Sequence, residues 1–206
     1  TLSNWVDSGG KLVAMRPDKK LAGLLGLTDL GSTLAEGYIL VNTSSGPGAG
    51  IVGRTIQFHG TADNYTASTA SILATLYSDA STTTGRPAVT LQNIGPNGGQ
   101  AAAYVFDLAR SVVYTRQGNP NWAGQDRDGQ APIRSDDLFF GAASFDPEPD
   151  WVDFNKITIP QADEQQRLLA NTLSGMDVPK KLLPRFWYFP HGYKAAIVMT
   201  GDDHAE

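Results

Sequence analysis

The chain has 206 residues, a net charge of −5, a pI of about 5.1 and no cysteine. Its length can hold one sizeable core, or one domain and part of another. The 16 Lys and Arg form no basic stripe, which speaks against a nucleic-acid face; missing thiols exclude disulfides and a cysteine nucleophile, and no apolar run approaches the ~20 residues that span a bilayer.

Leu2, Trp5 and Val6 have helical spacing, and Gly9-Gly10 stops the turn. Lys11-Leu-Val-Ala-Met15 reads as a buried strand. Pro17-Asp18 then predicts a helix with Leu21, Leu24 and Leu25 on one face and Gly26 near its end. Helix, strand, turn, helix is a unit of a parallel α/β sheet. A chain that opens in mid-unit is expected to lack the first strands of that sheet.

The middle is strand-rich. Tyr38–Val41, Arg54–Phe58, Ser71–Tyr77, Pro87–Leu91 and Gln100–Phe106 read as strands. Turn clusters separate them at 44–48, at Thr61-Ala-Asp-Asn64 and at Gly95–Gly99, the last forming a hairpin. Asp107 caps a helix that runs to Gln117, with Leu108, Val112 and Val113 on one face and Gly118 as its stop. Residues 119–153 form a long polar crossover, expected to be anchored by its own aromatics, Trp122 and Trp151 among them. Pro160 opens the clearest helix, with Asp163 and Glu164 in the first turn, Leu169, Leu173 and Met176 inward, and Gly175 at its end. Residues 177–184 read as a linker, followed by strands at Arg185–Phe189 and Ala195–Met199.

Several side chains invite a chemical reading. His59 ends a strand beside Asp63, as a hydrogen-bonded strand-end histidine or a pocket residue. His191 reads as an exposed turn residue. Arg110 and Arg116 lie too far round one helix to form a clamp. Asp126-Arg-Asp-Gly129 has alternating oxygens but lacks a calcium loop's full spacing and closing Glu. Trp122, with Asn119, Asn121 and Tyr114, could stack on a sugar ring or anchor the loop.

The sharpest cluster is Thr200-Gly-Asp-Asp-His204, at the end of an apolar strand. Carboxyl ends of parallel strands open into the crevice where α/β proteins bind ligands. Neighbouring carboxylates on a strand point to opposite sides, so one could hold a metal with His204 while the other acts as base. A metal centre needs about three protein ligands, and this cluster supplies two.

Residues 194–204 resemble the first strand and first motif of metal-dependent polysaccharide deacetylases, usually Thr-Phe-Asp-Asp. Gly201 stands where Phe is usual, and His204 where Gly is usual. The resemblance implies Asp202 as catalytic base and Asp203 as metal ligand, with His204 as a further candidate ligand. It implies a divalent metal, zinc or similar, only in a longer protein that supplies a two-histidine motif after Glu206. No cofactor is expected within these 206 residues alone.

Residues 1–177 are similar to class I glutamine amidotransferase-like domains. The matching segments are Trp5–Met15, the strand-rich middle and Ala103–Pro120. The resemblance implies a flavodoxin-like, three-layer α/β fold. Without a cysteine, the turn at Met15-Arg-Pro-Asp18 has no nucleophile to present, so the module is expected to be catalytically degenerate. Residues 178–206 are then a linker and the first strands of the deacetylase-like domain. Carbohydrate is the expected partner class, with no nucleic acid and no membrane span; the composition favours an extracytoplasmic bacterial protein. Two alternatives stay open: a carbohydrate-binding module, and a self-contained hydrolase using His59.

Overall fold

The computed structural model describes residues 1–44, 46–139 and 150–177. Helix α1 (Leu2–Asp7) is capped by the Thr1 hydroxyl, which accepts from Asn4 N at 3.3 Å. Gly9, at φ 102, turns the chain into strand β1 (Lys11–Met15).

The helix expected after Pro17 is a single 3₁₀ turn, Lys19–Leu21, capped by Asp18. Two glycines, Gly23 and Gly26, follow within five residues, and glycine opposes helix propagation. Gly26, at φ 65, instead bends the chain into β2 (Leu27–Ala35), which the sequence pattern does not disclose. The Gly26 carbonyl accepts from Ser68 N at 2.9 Å, tying this turn to the next connection.

Then come β3 (Tyr38–Val41), β4 (Ile56–Gln57), β5 (Thr61–Ala67), β6 (Ser71–Tyr77), β7 (Thr83–Ile94) and β8 (Gly99–Tyr104). Six of these strands form one mixed sheet in the order β1-β8-β7-β6-β3-β4. Only the β1–β8 pair is parallel in that sheet. The fold is α/β, with a sheet far more antiparallel than the helix–strand opening suggests.

β2 and β5 make a separate antiparallel ribbon with a register shift between Asp29 and Thr33. β5 falls on the stretch read as a turn at Thr61–Asn64. Asp63 and Asn64 are turn formers in isolation, yet both are buried here. Asp63 pairs with Arg16, and Asn64 Nδ2 donates to Ser32 Oγ at 3.1 Å. The ribbon joins the main sheet through an Ala62–Phe106 bridge and the bond from Asp63 N to Val105 O, 2.9 Å.

Helix α2 (Leu108–Gln117) has the expected caps: Asp107 accepts from Arg110 N, and Gly118 sits at φ 82. Leu108, Ser111 and Val112 are buried, whereas Val113 is largely exposed. Between the layers lie Phe58, Tyr65, Tyr104 and Phe106, all fully covered; the Phe58 and Phe106 rings are 5.0 Å apart. Each large apolar side chain so buried contributes about 1.5–3 kcal/mol. Burial also pushes the Tyr104 phenol up to about 12.

Helix α3 (Gln161–Asp177) runs past Gly175 and turns a more polar face inward than its leucines suggest. Gln161, Glu164, Gln165, Leu168, Thr172 and Met176 are buried, and Leu173 is 39% exposed. The reason is the sheet edge. β4 is an edge strand, and edge strands leave backbone groups without a ladder partner. Gln57 N donates to Gln161 Oε1 at 2.6 Å, and Gln165 Nε2 donates to Gln57 O at 3.0 Å. Helix side chains thus stand where a further strand would pair.

Candidate functional site

The carboxyl ends of β1 and β8 lie side by side, the place where a parallel pair opens toward ligands in α/β proteins. The first residue past β1 is Arg16, at φ 42. Non-glycine residues rarely adopt this left-handed region, and such strain gathers at functional turns. Two bonds hold it there: Arg16 N donates to Tyr104 O at 2.8 Å, and Nε to Asp63 Oδ2 at 3.3 Å. The elbow-like turn therefore carries a guanidinium tied to a carboxylate.

Glu36, at φ 47, is the second strained residue. Its carboxylate is bidentate: Oε1 accepts from Gly60 N at 2.8 Å, and Oε2 lies 2.8 Å from His59 Nδ1. Glu36 N also donates to Gly60 O at 3.0 Å. With a carboxylate facing Nδ1, that nitrogen donates to it. Among the described residues nothing bonds to Nε2.

His59 is 3% exposed. Its backbone N–H donates to Ser111 Oγ at 3.1 Å, and that hydroxyl lies 2.7 Å from Gln165 Oε1. The imidazole stacks on Trp151 at 4.1 Å with 11° between the planes. Trp151 Nε1 donates to Tyr114 O at 3.0 Å, and Trp151 O accepts from Gln57 Nε2 at 3.2 Å. Asp153, two residues on, accepts from Tyr38 OH at 3.2 Å; burial first, then the Asp153 charge, pushes that phenol up to about 12. The aromatic anchoring expected of the crossover is present, and His59 is its landing point.

Asp63 lies four residues from His59 in the sequence. The carboxylate that meets the ring is Glu36, and Asp63 turns to Arg16. No pattern in the sequence marks Glu36, because the pair forms across the β2–β5 ribbon, where Ala35 faces Thr61. Arg110 lies alongside: a Cβ on Gly60 would come within 3.3 Å of its Cδ, and its guanidinium sits 5.9 Å from the Tyr114 ring. Arg116 instead reaches Asp163 at 2.6 Å. The two arginines serve different neighbours, as their spacing implies.

Trp122 is buried under the crossover with the Arg127 guanidinium 3.8 Å over its ring, so it is an anchor rather than an open sugar platform. Asp126, Asp128 and Asp137 place oxygens within 4.8 Å of one another. Those oxygens fold the loop. Asp126 accepts from Gly129 N at 2.6 Å and Asp128 from Gln130 N at 2.8 Å, with Arg134 on its other oxygen. Asp137 accepts from the backbone N–H groups of Arg134 and Arg127, which hold its carboxyl below the usual range. Asp202, Asp203, His204 and His191 lie outside the described residues.

No family model matches the chain, and no curated protein does. Among solved structures it is similar to a cold-adapted β-galactosidase from Rahnella sp. R3, with a TM-score of 0.40, 19% identity, and 50% of this chain and 17% of that chain covered. An exo-β-1,4-mannosidase from Opitutaceae bacterium strain TAV5 gives a TM-score of 0.40 and 20% identity, covering 56% and 19%. A cytoplasmic protein from Salmonella typhimurium gives 0.40 and 13%, covering 52% and 48%. The chain thus spans under a fifth of the two glycosidases and about half of the third protein. Among the described residues no helix is long and apolar enough to cross a membrane.

Proposed function

We propose that residues 1–177 are an accessory module, a catalytically degenerate relative of amidotransferase-like, flavodoxin-like domains. It serves as a scaffold for a carbohydrate deacetylase-like domain whose linker and first strands are residues 178–206. The observation that carries this reading is Arg16. It occupies a strained turn at the end of a parallel strand, and its side chain is tied to Asp63. The polar groups of the β4–β5 connection are engaged in the same way: the Glu36 carboxylate holds both His59 and Gly60, and Ser111 of α2 accepts from His59 N.

In the deacetylase part, Asp202 is the base, and Asp203 with His204 would hold a divalent metal that polarises the acetyl carbonyl. The test is acetate release from N-acetylated oligosaccharides by the longest available form of the protein, with zinc or cobalt supplied. Loss of release in Asp203→Ala, together with unchanged release in Arg16→Ala, supports the reading. Release that survives Asp203→Ala refutes it.

A second reading, a hydrolase using His59, draws on a buried, carboxylate-backed imidazole whose Nε2 has no bond among the described residues. It requires ester or amide hydrolysis by this chain that His59→Gln abolishes.

A further inference from the structure

We infer that Asn97 is a self-modification site: the β7–β8 turn is built to form a succinimide at Asn97-Gly98, and Lys11 promotes the step. Nine asparagines occur in the chain, and Asn97 alone is followed by glycine. The turn, residues 95–98, is exposed and closed by the Ile94–Gly99 pair. Gly98 sits at φ 75, and a Cβ built there meets nothing within 4 Å, so the turn is open on that side. The Asn97 side chain is held by one long bond, from Nδ2 to Asp7 O at 3.3 Å.

In the reaction, the deprotonated Gly98 nitrogen attacks Asn97 Cγ. The N–Cγ bond forms, the Cγ–Nδ2 bond breaks, and Nδ2 leaves as ammonia after taking a proton from solvent. Water then opens either imide carbonyl, giving aspartate or isoaspartate. No oxidant or reductant is needed. Negative charge develops on the Gly98 nitrogen during attack. The Lys11 ammonium, 2.7 Å from Gly98 O and 2.6 Å from Gln100 Oε1, puts a positive charge beside this residue, which favours the anion.

The product alters a contact that seats α1. Asn97 Nδ2 is a donor to the last residue of that helix, and the Asp7 carboxylate lies against Gly95, where a Cβ would be 2.3 Å from its Oδ1. Conversion replaces the donor with a carboxylate beside another carboxylate and beside the negative end of a helix. α1 buries only Val6, so it has little else to hold it.

The test is to age the folded chain in mildly alkaline buffer and map its peptides by mass and by isoaspartate methylation. The expected result is conversion at Asn97 ahead of every other asparagine, with isoaspartate in excess. Hydrogen exchange in residues 2–8 should then be faster in the aged form than in fresh protein or in Asn97→Gln. Lys11→Met should slow conversion about fivefold, with circular dichroism confirming that it folds. An amide at Asn97 that persists in the folded chain, while the same chain in denaturant converts, would overturn the proposal. An unchanged rate in folded Lys11→Met would remove Lys11 from it.

Discussion

Replacing His59 by alanine tests whether the Glu36–His59–Trp151 unit is a structural clasp. The change removes a buried ring stacked 4.1 Å from Trp151 and a 2.8 Å bond to Glu36. An aromatic pair of this kind contributes about 0.5–1.5 kcal/mol. A hydrogen bond to a charged partner contributes about 1.5–3 kcal/mol. The lower end applies here, because the Glu36 side chain is 43% exposed and rehydrates when its partner is lost. The space left by the ring adds ~1 kcal/mol. The expected loss is therefore about 3–4 kcal/mol, a large part of the ~5–15 kcal/mol that holds a typical domain. Urea unfolding followed by circular dichroism reads the loss directly. Hydrogen exchange should localise it to the 151–156 segment, which depends on Trp151 for its seat. A loss below ~1 kcal/mol with no local change would refute the clasp, since a ring retained for chemistry can be removed at little cost in stability.

Gln165→Leu leaves Gln57 O and the Ser111 hydroxyl without their partners at 3.0 and 2.7 Å, and should cost about 2–4 kcal/mol in the same assay. Gly118→Ala should cost about 1–3 kcal/mol, because the cap sits at φ 82 and the added Cβ would lie 2.5 Å from Leu138 O; a neutral outcome contradicts the assigned cap. Asp79 is held near a pKa of about 2, from an ordinary 3.8, chiefly by the Ser81 backbone N–H and then by Thr82. A depressed carboxylate stabilises the fold above its unfolded pKa, and that contribution is lost as pH falls through the folded value. The stability gap between the parent chain and Asp79→Ala should accordingly be constant at neutral pH and close between about pH 4 and pH 2. A gap that widens on acidification contradicts the turn geometry.

Strands β1, β3, β6, β7 and β8 were legible because they are apolar runs between strong turn signals. Helices α2 and α3 were legible because Asp107, Gly118 and Pro160 mark their boundaries. β5 was hidden because Asp63 and Asn64 are turn formers whose partners, Arg16 and Ser32, are remote in sequence. β2 was hidden because most of its side chains are exposed, so no alternation shows. The inward face of α3 was legible in part: Met176 is buried and Leu169 packs on the core, but Leu173 is exposed and Gln161 and Gln165 turn inward, because glutamines satisfy a strand edge where leucines cannot. At the candidate site, His59 and Trp151 stood out as residue types, but their pairing and the part played by Glu36 needed the fold. Arg16 was visible as the occupant of an elbow-like turn, and its positive φ and bond to Asp63 emerged only in three dimensions.

The most direct measurement is acetate release from an N-acetylated oligosaccharide, compared between His59→Gln and Asp203→Ala in the longest form of the protein with zinc supplied. His59→Gln is expected to keep the parental rate once its fold is verified, and Asp203→Ala to lose it. Loss with His59→Gln and retention with Asp203→Ala would contradict the scaffold reading and move the chemistry to the His59–Glu36 pair.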